Sequence, residues 1–365
     1  MTELTTRQFI LISLFLVTTS KLMTMPISIF STAQNDAIFS ILFGSIVELG
    51  IIILVSLVIA RNPDCNLLSL LKKRLGSVLA YIIIFILYAF IITKFIFVLI
   101  EVFTFFKDYL YDDFNPVIYT LSTFFVVGYI SFKGCRTMGR TFEILFPVIV
   151  IGLVIALVSN IEFASWGAML PYFDDGILPS IRGLSENLFY FGNALPLLFF
   201  VGKVKIKPHF VAKTAWSNVG LFAFILLFCF VFYDIFGYST ILSTFAISDY
   251  TQYDPYILDL QRLNWLSMMI DITKLFCSAS ILLYCLGQAS KWIVHTQSSF
   301  WPIIGTLIIQ FCLAAVINFS LSDSQMLITS YLSYITGGVM LLIMILCASL
   351  SIKRRQKCQN KSSTK

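Results

Sequence analysis

Residues 16–26 read LVTTSKLMTMP, and how this stretch sits in a membrane decides the fold. It falls inside an apolar run of bilayer-spanning length, 8–30, yet carries Thr18, Thr19, Ser20 and Lys21 at its middle and Pro26 beyond. A charged side chain at the bilayer centre costs at least about 2.5 kcal/mol and faces a cavity or a partner. Proline lacks a backbone donor and clashes with the preceding turn of a helix. Together they predict a first span interrupted near Ser20, its freed backbone groups turned toward a cavity and away from lipid.

The composition agrees. Of 365 residues, 58% are hydrophobic and 12% charged, against about 25% charged in a soluble domain, and mean hydropathy is +0.90. Apolar runs of about 20 residues, each able to cross a hydrocarbon core of about 30 Å, repeat along the chain. They predict an all-α membrane protein of about ten spans: 8–30, 37–60, 78–106, 115–132, 142–159, 180–201, 212–236, 259–289, 300–319 and 326–351. Phe9–Val17 has the apolarity of a signal-peptide core, but only Arg7 precedes it and no small-residue cleavage site follows, so it is read as the first helix. One transmembrane domain over 1–365 is expected, with a basic cytoplasmic tail at 352–365.

Lysines and arginines alternate in side. Arg7, Arg61, Lys72–Arg74, Lys133–Arg140, Lys203–Lys213, Lys291 and the tail fall in one set of loops, and the other set holds Lys107 among eight acidic residues. By the positive-inside rule both termini are expected in the cytoplasm. The net charge of +6 then reflects topology and anionic lipid headgroups, with no nucleic-acid partner implied. Five of the eight cysteines lie in spans and three on the reducing side, so neither a disulfide framework nor a metal site is expected. Phosphate-binding, zinc and serine-nucleophile signatures are absent, and an enzyme or a cofactor is not expected.

Ten spans divide at the loop 160–179 into two sets of five, 1–159 and 178–351. Because five is odd, the second set enters from the opposite side, which makes an inverted repeat. Transporters built this way place their site at the midplane, between the broken first helices of the two halves. Span six carries NLFYFGNALP at 187–196, its Gly192, Asn193 and Pro196 matching the interruption of span one. Broken helices 1 and 6 are therefore expected, with Thr19, Ser20, Lys21, Leu22, Tyr190, Phe191, Gly192 and Asn193 as candidate ligand-binding residues. Helix ends there offer N–H groups and carbonyls to a zwitterion, and the N-terminal dipole end favours a carboxylate. The competing reading is plain packing, because small and hydroxylated residues are common in membrane helices and phenylalanine occurs 36 times.

Four charges sit near mid-membrane: Lys21, Glu48, Asp271 and Lys274. Asp271 and Lys274 are three apart and can pair on their own helix. Lys21 has no partner within a turn, leaving Glu48 or Asp271 as its counter-ion. Beside a broken helix its ammonium would stand where a coupling cation binds, which predicts proton coupling or none. Lys94 and Glu101 share a face seven residues apart. Arg140 and Glu143 read as a clasp at the start of span five, and Arg182 with Glu186 as an i,i+4 pair.

KGCRTMGRTFEILFP at 133–147, with Gly134, Arg140, Glu143 and Pro147, resembles the stretch before span five in the spore germination B-subunit family, the membrane subunit of nutrient germinant receptors. AQND at 33–36, RNP at 61–63, LKKRLG at 71–76, NP at 115–116 and LPYFDDGILPSIRG at 170–183 follow in the family's order. That family is similar to permeases of the amino acid, polyamine and organocation superfamily. The resemblance implies a LeuT-like five-plus-five fold, a small nutrient ligand such as an amino acid, receptor A and C subunits as partners, and a bacterial cell or inner spore membrane. The alternative it leaves is a proton-coupled amino acid transporter or exchanger. The chain departs from the family at Ser20 and Lys21, where small residues are usual, at Asn193, where a carboxylate is frequent, and at Cys135 and Arg136.

Overall fold

The computed structural model describes residues 4–109, 116–167, 169–253, 261–295 and 325–351, with a few isolated positions between. The expected ninth span and the basic tail lie outside the described residues.

Helix α1 spans Thr6–Thr18 and starts on a capping box, in which the Thr5 hydroxyl accepts from the Gln8 N–H and the Gln8 side chain accepts from the Thr5 N–H. It stops where Thr18 and Thr19 turn their hydroxyls back onto the carbonyls of Leu14 and Leu16, the local competition that weakens helices at such residues. Ser20 follows at φ 62°, in the left-handed region. Helix α2 (Met25–Ala33) then begins with Pro26 in its first turn, where the missing N–H costs nothing. The proline in the quoted stretch thus opens a second helix.

Long apolar helices follow: α3 (Ala37–Arg61), α5 (Ser77–Tyr109) and, after a short amphipathic α4 (Leu67–Leu75) between them, α6 (Pro116–Phe132) and α7 (Cys135–Ser159). Span six is α8 (Leu178–Glu186), a 3₁₀ turn at Leu188–Tyr190, an extended Phe191, and a second 3₁₀ run at Leu195–Phe200. Gly192 sits between them at φ 82°, where an added Cβ would also strike Met340. Helices α9 (Phe210–Phe236), α10 (Ala246–Gln252), α11 (Gln261–Ile293) and α12 (Gln325–Ser351) complete the described chain. Six segments among the described residues are long and apolar enough to cross a membrane. Among the shorter apolar helices, Thr6–Thr18 and Leu188–Phe200 are pieces of the two broken spans.

Helix α7 shows how the bundle sorts its faces. Ile144, Val148, Ile151, Ile155 and Val158 are exposed, whereas Ile149, Leu153 and Ala156 on the opposite side are buried, the 3.6-residue period of one helix face turned to lipid and one to protein. Helix α11 packs on α5, α6, α7 and α1; α3 packs on α9, α12 and α8.

At the basic end, the chain start is stitched to the segment after span six: the Leu4 N–H donates to the Lys203 carbonyl at 2.8 Å and the Lys205 N–H to the Leu4 carbonyl at 2.8 Å. Glu143 does not clasp Arg140, which is exposed; it reaches α1, 3.8 Å from Arg7 and accepting from the Gln8 amide at 3.3 Å. Gly134 supplies the φ of 86° that starts α7, and Pro147 lies within that helix. Cys65 is disulfide-bonded, which the sequence reading did not anticipate. Cys135, Cys229, Cys277, Cys285 and Cys347 are buried and not disulfide-bonded. Arg182 and Glu186 pair at 2.7 Å as expected.

Candidate functional site

The two interruptions meet. Lys21, fully buried, pairs with Glu48 of α3, and its ammonium also donates to the Tyr190 carbonyl at 3.1 Å and stands 5.2 Å from the Phe191 ring centroid. Glu48, not Asp271, is therefore the counter-ion. Asp271 pairs with Lys274 at 2.8 Å on its own helix and accepts from Ser248 at 3.3 Å, so the four mid-membrane charges form two pairs and no single network.

Helix α5 supplies what the sequence reading left out. The Lys94 ammonium donates to the carbonyls of Phe189 and Phe191, acceptors freed by the span-six break. Two turns along, Glu101 accepts from the hydroxyls of Ser20 and Thr24, on either side of the span-one break. One face of α5 thus serves both interruptions. The signal was in the sequence: two charges seven apart in an otherwise apolar membrane helix share a face, and such charges rarely face lipid.

Other freed backbone groups are also satisfied, as burial demands. The Leu22 and Met23 carbonyls accept from the N–H groups of Ile247 (3.2 Å) and Ala246 (2.9 Å) at the start of α10. The Thr19 carbonyl takes the Asn193 amide at 3.4 Å, the Phe15 carbonyl takes the Ser278 hydroxyl at 2.9 Å, and the Phe189 N–H donates to Ser333 at 3.0 Å. Phe191 is wedged over Gly44 of α3, where no Cβ would fit.

Space at the site is divided by an aromatic partition. Phe97 and Tyr190 meet edge to face, 5.8 Å apart at 80°. On one side Thr19, Ser20, Lys94 and Asn193 line a void of about 10 Å³, enough for about one water. On the other lies a cavity of about 170 Å³ bounded by Thr24, Ser28, Glu101, Thr104 and Ser243–Phe245. Of the predicted ligand-binding residues, Thr19, Ser20, Tyr190 and Asn193 border these spaces. Lys21, Leu22, Phe191 and Gly192 border neither, and act through the pairs and backbone bonds just described.

The spore germination protein family, of the spore permease type, matches residues 3–325. The chain belongs to that family. Among curated proteins no sequence matches it. Solved structures share the fold of this spore germination protein at low identity. MhsT in complex with L-phenylalanine superposes with a TM-score of 0.69 at 13% identity, covering 94% of this chain and 88% of that one. A manganese transporter of Eremococcus coleocola gives 0.61 at 11% identity, over 95% and 78%. A Na+-coupled sialic acid symporter in a substrate-bound outward-open state gives 0.60 at 13%, over 93% and 78%. The fold is accordingly the LeuT-like inverted repeat with broken helices 1 and 6, and the protein is an integral membrane member of the spore germination family.

Proposed function

We propose that this chain is the membrane subunit of a nutrient germinant receptor, which recognises a small nutrient such as an amino acid and passes the signal to A and C subunits. The observation that carries the reading is the meeting of two broken spans at a partitioned space, with a cavity on one side and a one-water void on the other. A nutrient entering from the acidic end, the exterior if both termini are cytoplasmic, reaches the Phe97–Tyr190 partition. Displacing Tyr190 disturbs the carbonyl that Lys21 and Asn193 both hold, so ligand contact is coupled to both interruptions. A switch of this kind needs different affinities in its two states, and the partition supplies a contact that differs between them.

The second reading, a proton-coupled amino acid transporter or exchanger, is favoured by the fold's similarity to transporters. The Lys21–Glu48 pair places a fixed ammonium in the first interruption, which supports coupling to protons or no coupling in preference to a bound metal cation. Uptake of labelled amino acids into proteoliposomes, with and without an imposed proton gradient, separates the two. Gradient-driven accumulation makes the protein a transporter. For the receptor reading, spores carrying Thr104→Trp, which fills the cavity, should lose nutrient-triggered germination, followed as the fall in optical density, at normal protein levels; an unchanged response refutes it.

A further inference from the structure

Glu101 is 3% exposed, yet among the described residues it makes no ion pair. Its oxygens accept from Ser20 and Thr24. A carboxylate offers about four lone-pair positions, so two remain. A buried charge this poorly compensated is costly, and here it borders the 170 Å³ cavity. The other polar side chains around that cavity are the hydroxyls of Thr24, Ser28, Thr104, Ser243 and Thr244 and the Tyr190 ring, with no basic group among them. The cavity therefore has one carboxyl group, able to serve as counter-ion to a cation, in a wall of neutral donors and acceptors.

The cationic side chains that would take a ligand's carboxylate are already engaged. Glu101 accepts from the hydroxyl of Thr24, at the N-cap position of α2, which puts a carboxyl of the protein's own beside the end of that helix that attracts anions. Lys21 is bound to Glu48 and Lys94 to the span-six carbonyls. We infer that the cavity holds a small ligand by its protonated amine, with Glu101 as counter-ion, and that a ligand carboxylate is not required. The volume, room for on the order of ten waters, sets the size class: an amine of a few heavy atoms. This rests on the reading that the cavity is the ligand site, and it replaces the carboxylate-first recognition expected from the sequence.

The test is calorimetric titration of the full chain in lipid nanodiscs with three probes: alaninamide (amine, no carboxylate), alanine (both) and N-acetylalanine (carboxylate, no amine). Alaninamide should bind saturably and at least as tightly as alanine, and N-acetylalanine should not bind. Glu101→Gln, close in shape, should weaken alaninamide by roughly tenfold or more, the loss of a charge-assisted hydrogen bond. If that variant does not fold, the ranking of probes on the unaltered protein decides. Absent alaninamide binding, N-acetylalanine binding equal to that of alanine, or undiminished binding by a folded Glu101→Gln protein overturns the inference. Germination and uptake can fail while alaninamide binds, and the ranking can fail in a working receptor, so the two readings are separately refutable.

Discussion

Lys21→Met is the most informative single change, because the structure alters what it should do. A lone charge beside a broken helix would suggest a changed ligand response without unfolding. In the structure both members of the Lys21–Glu48 pair are 0% exposed, and among the described residues Glu48 Oε1 has no hydrogen-bond partner. Removing one member of a buried pair costs about 3–5 kcal/mol, because the other charge stays behind uncompensated. The Tyr190 carbonyl also loses its 3.1 Å donor, a further loss of about 1 kcal/mol. Replacing both members with apolar side chains of similar volume is often neutral or stabilising. Lys21→Met should therefore destabilise strongly, while Lys21→Met combined with Glu48→Met should recover to within about 1–2 kcal/mol of the original protein, the Tyr190 term alone remaining. Equilibrium unfolding in mixed micelles of rising denaturing-detergent content measures both, and a double-mutant cycle isolates the pair. A single variant that costs less than about 1 kcal/mol, or a double variant no more stable than the single, refutes the pairing argument. Ligand response should be read in the double variant, in which the ammonium is gone and the fold is kept.

Lys94→Met strips the donor from the Phe189 and Phe191 carbonyls; leaving buried acceptors unsatisfied costs about 1–3 kcal/mol each, and faster amide exchange at Gly192–Leu195 is the expected sign, whereas unchanged exchange places the lysine's bond elsewhere. Lys203, outside the spans, lies against the Tyr284 ring and hydroxyl, and burial pushes its pKa down from 10.5 to about 8. The unfolded chain then binds more protons than the native one between about pH 8 and 10.5, so stability is lowest below pH 8 and rises with pH across that window; Lys203→Met should flatten the rise in detergent unfolding, and an identical slope in the variant counts against the assignment.

The sequence was most legible where chemistry is expensive. A lysine and a proline inside an apolar run, and a glycine and proline at the matching place in span six, gave the two interruptions because membrane burial leaves few ways to accommodate them. Register was harder. Asp271 and Lys274 pair locally as helix spacing allows, but Glu48 could be preferred over Asp271 only once α3 was seen beside the break. Glu101 and Lys94 were noticed as neighbours on a helix, and their separate roles were invisible because each partner lies in a different span, 81 residues away from Glu101 at Ser20 and 95 away from Lys94 at Phe189. Arg140 and Glu143 illustrate the opposite error: spacing suggested a local pair, and the competing partner Arg7 came from another helix. The seating of Phe191 over Gly44 was likewise unreadable, since it joins two distant spans.

The stitch between Leu4 and Lys203–Lys205 bears on how the molecule can move. It fastens the basic-end half of the first broken span to the segment leaving the second, and the Thr6 hydroxyl adds a third tie to the Lys205 carbonyl at 3.1 Å. The two half-spans are thus hung on one hinge leaf. Either they swing together, which carries a displacement at the partition straight to the basic face, or these ties must first unlatch.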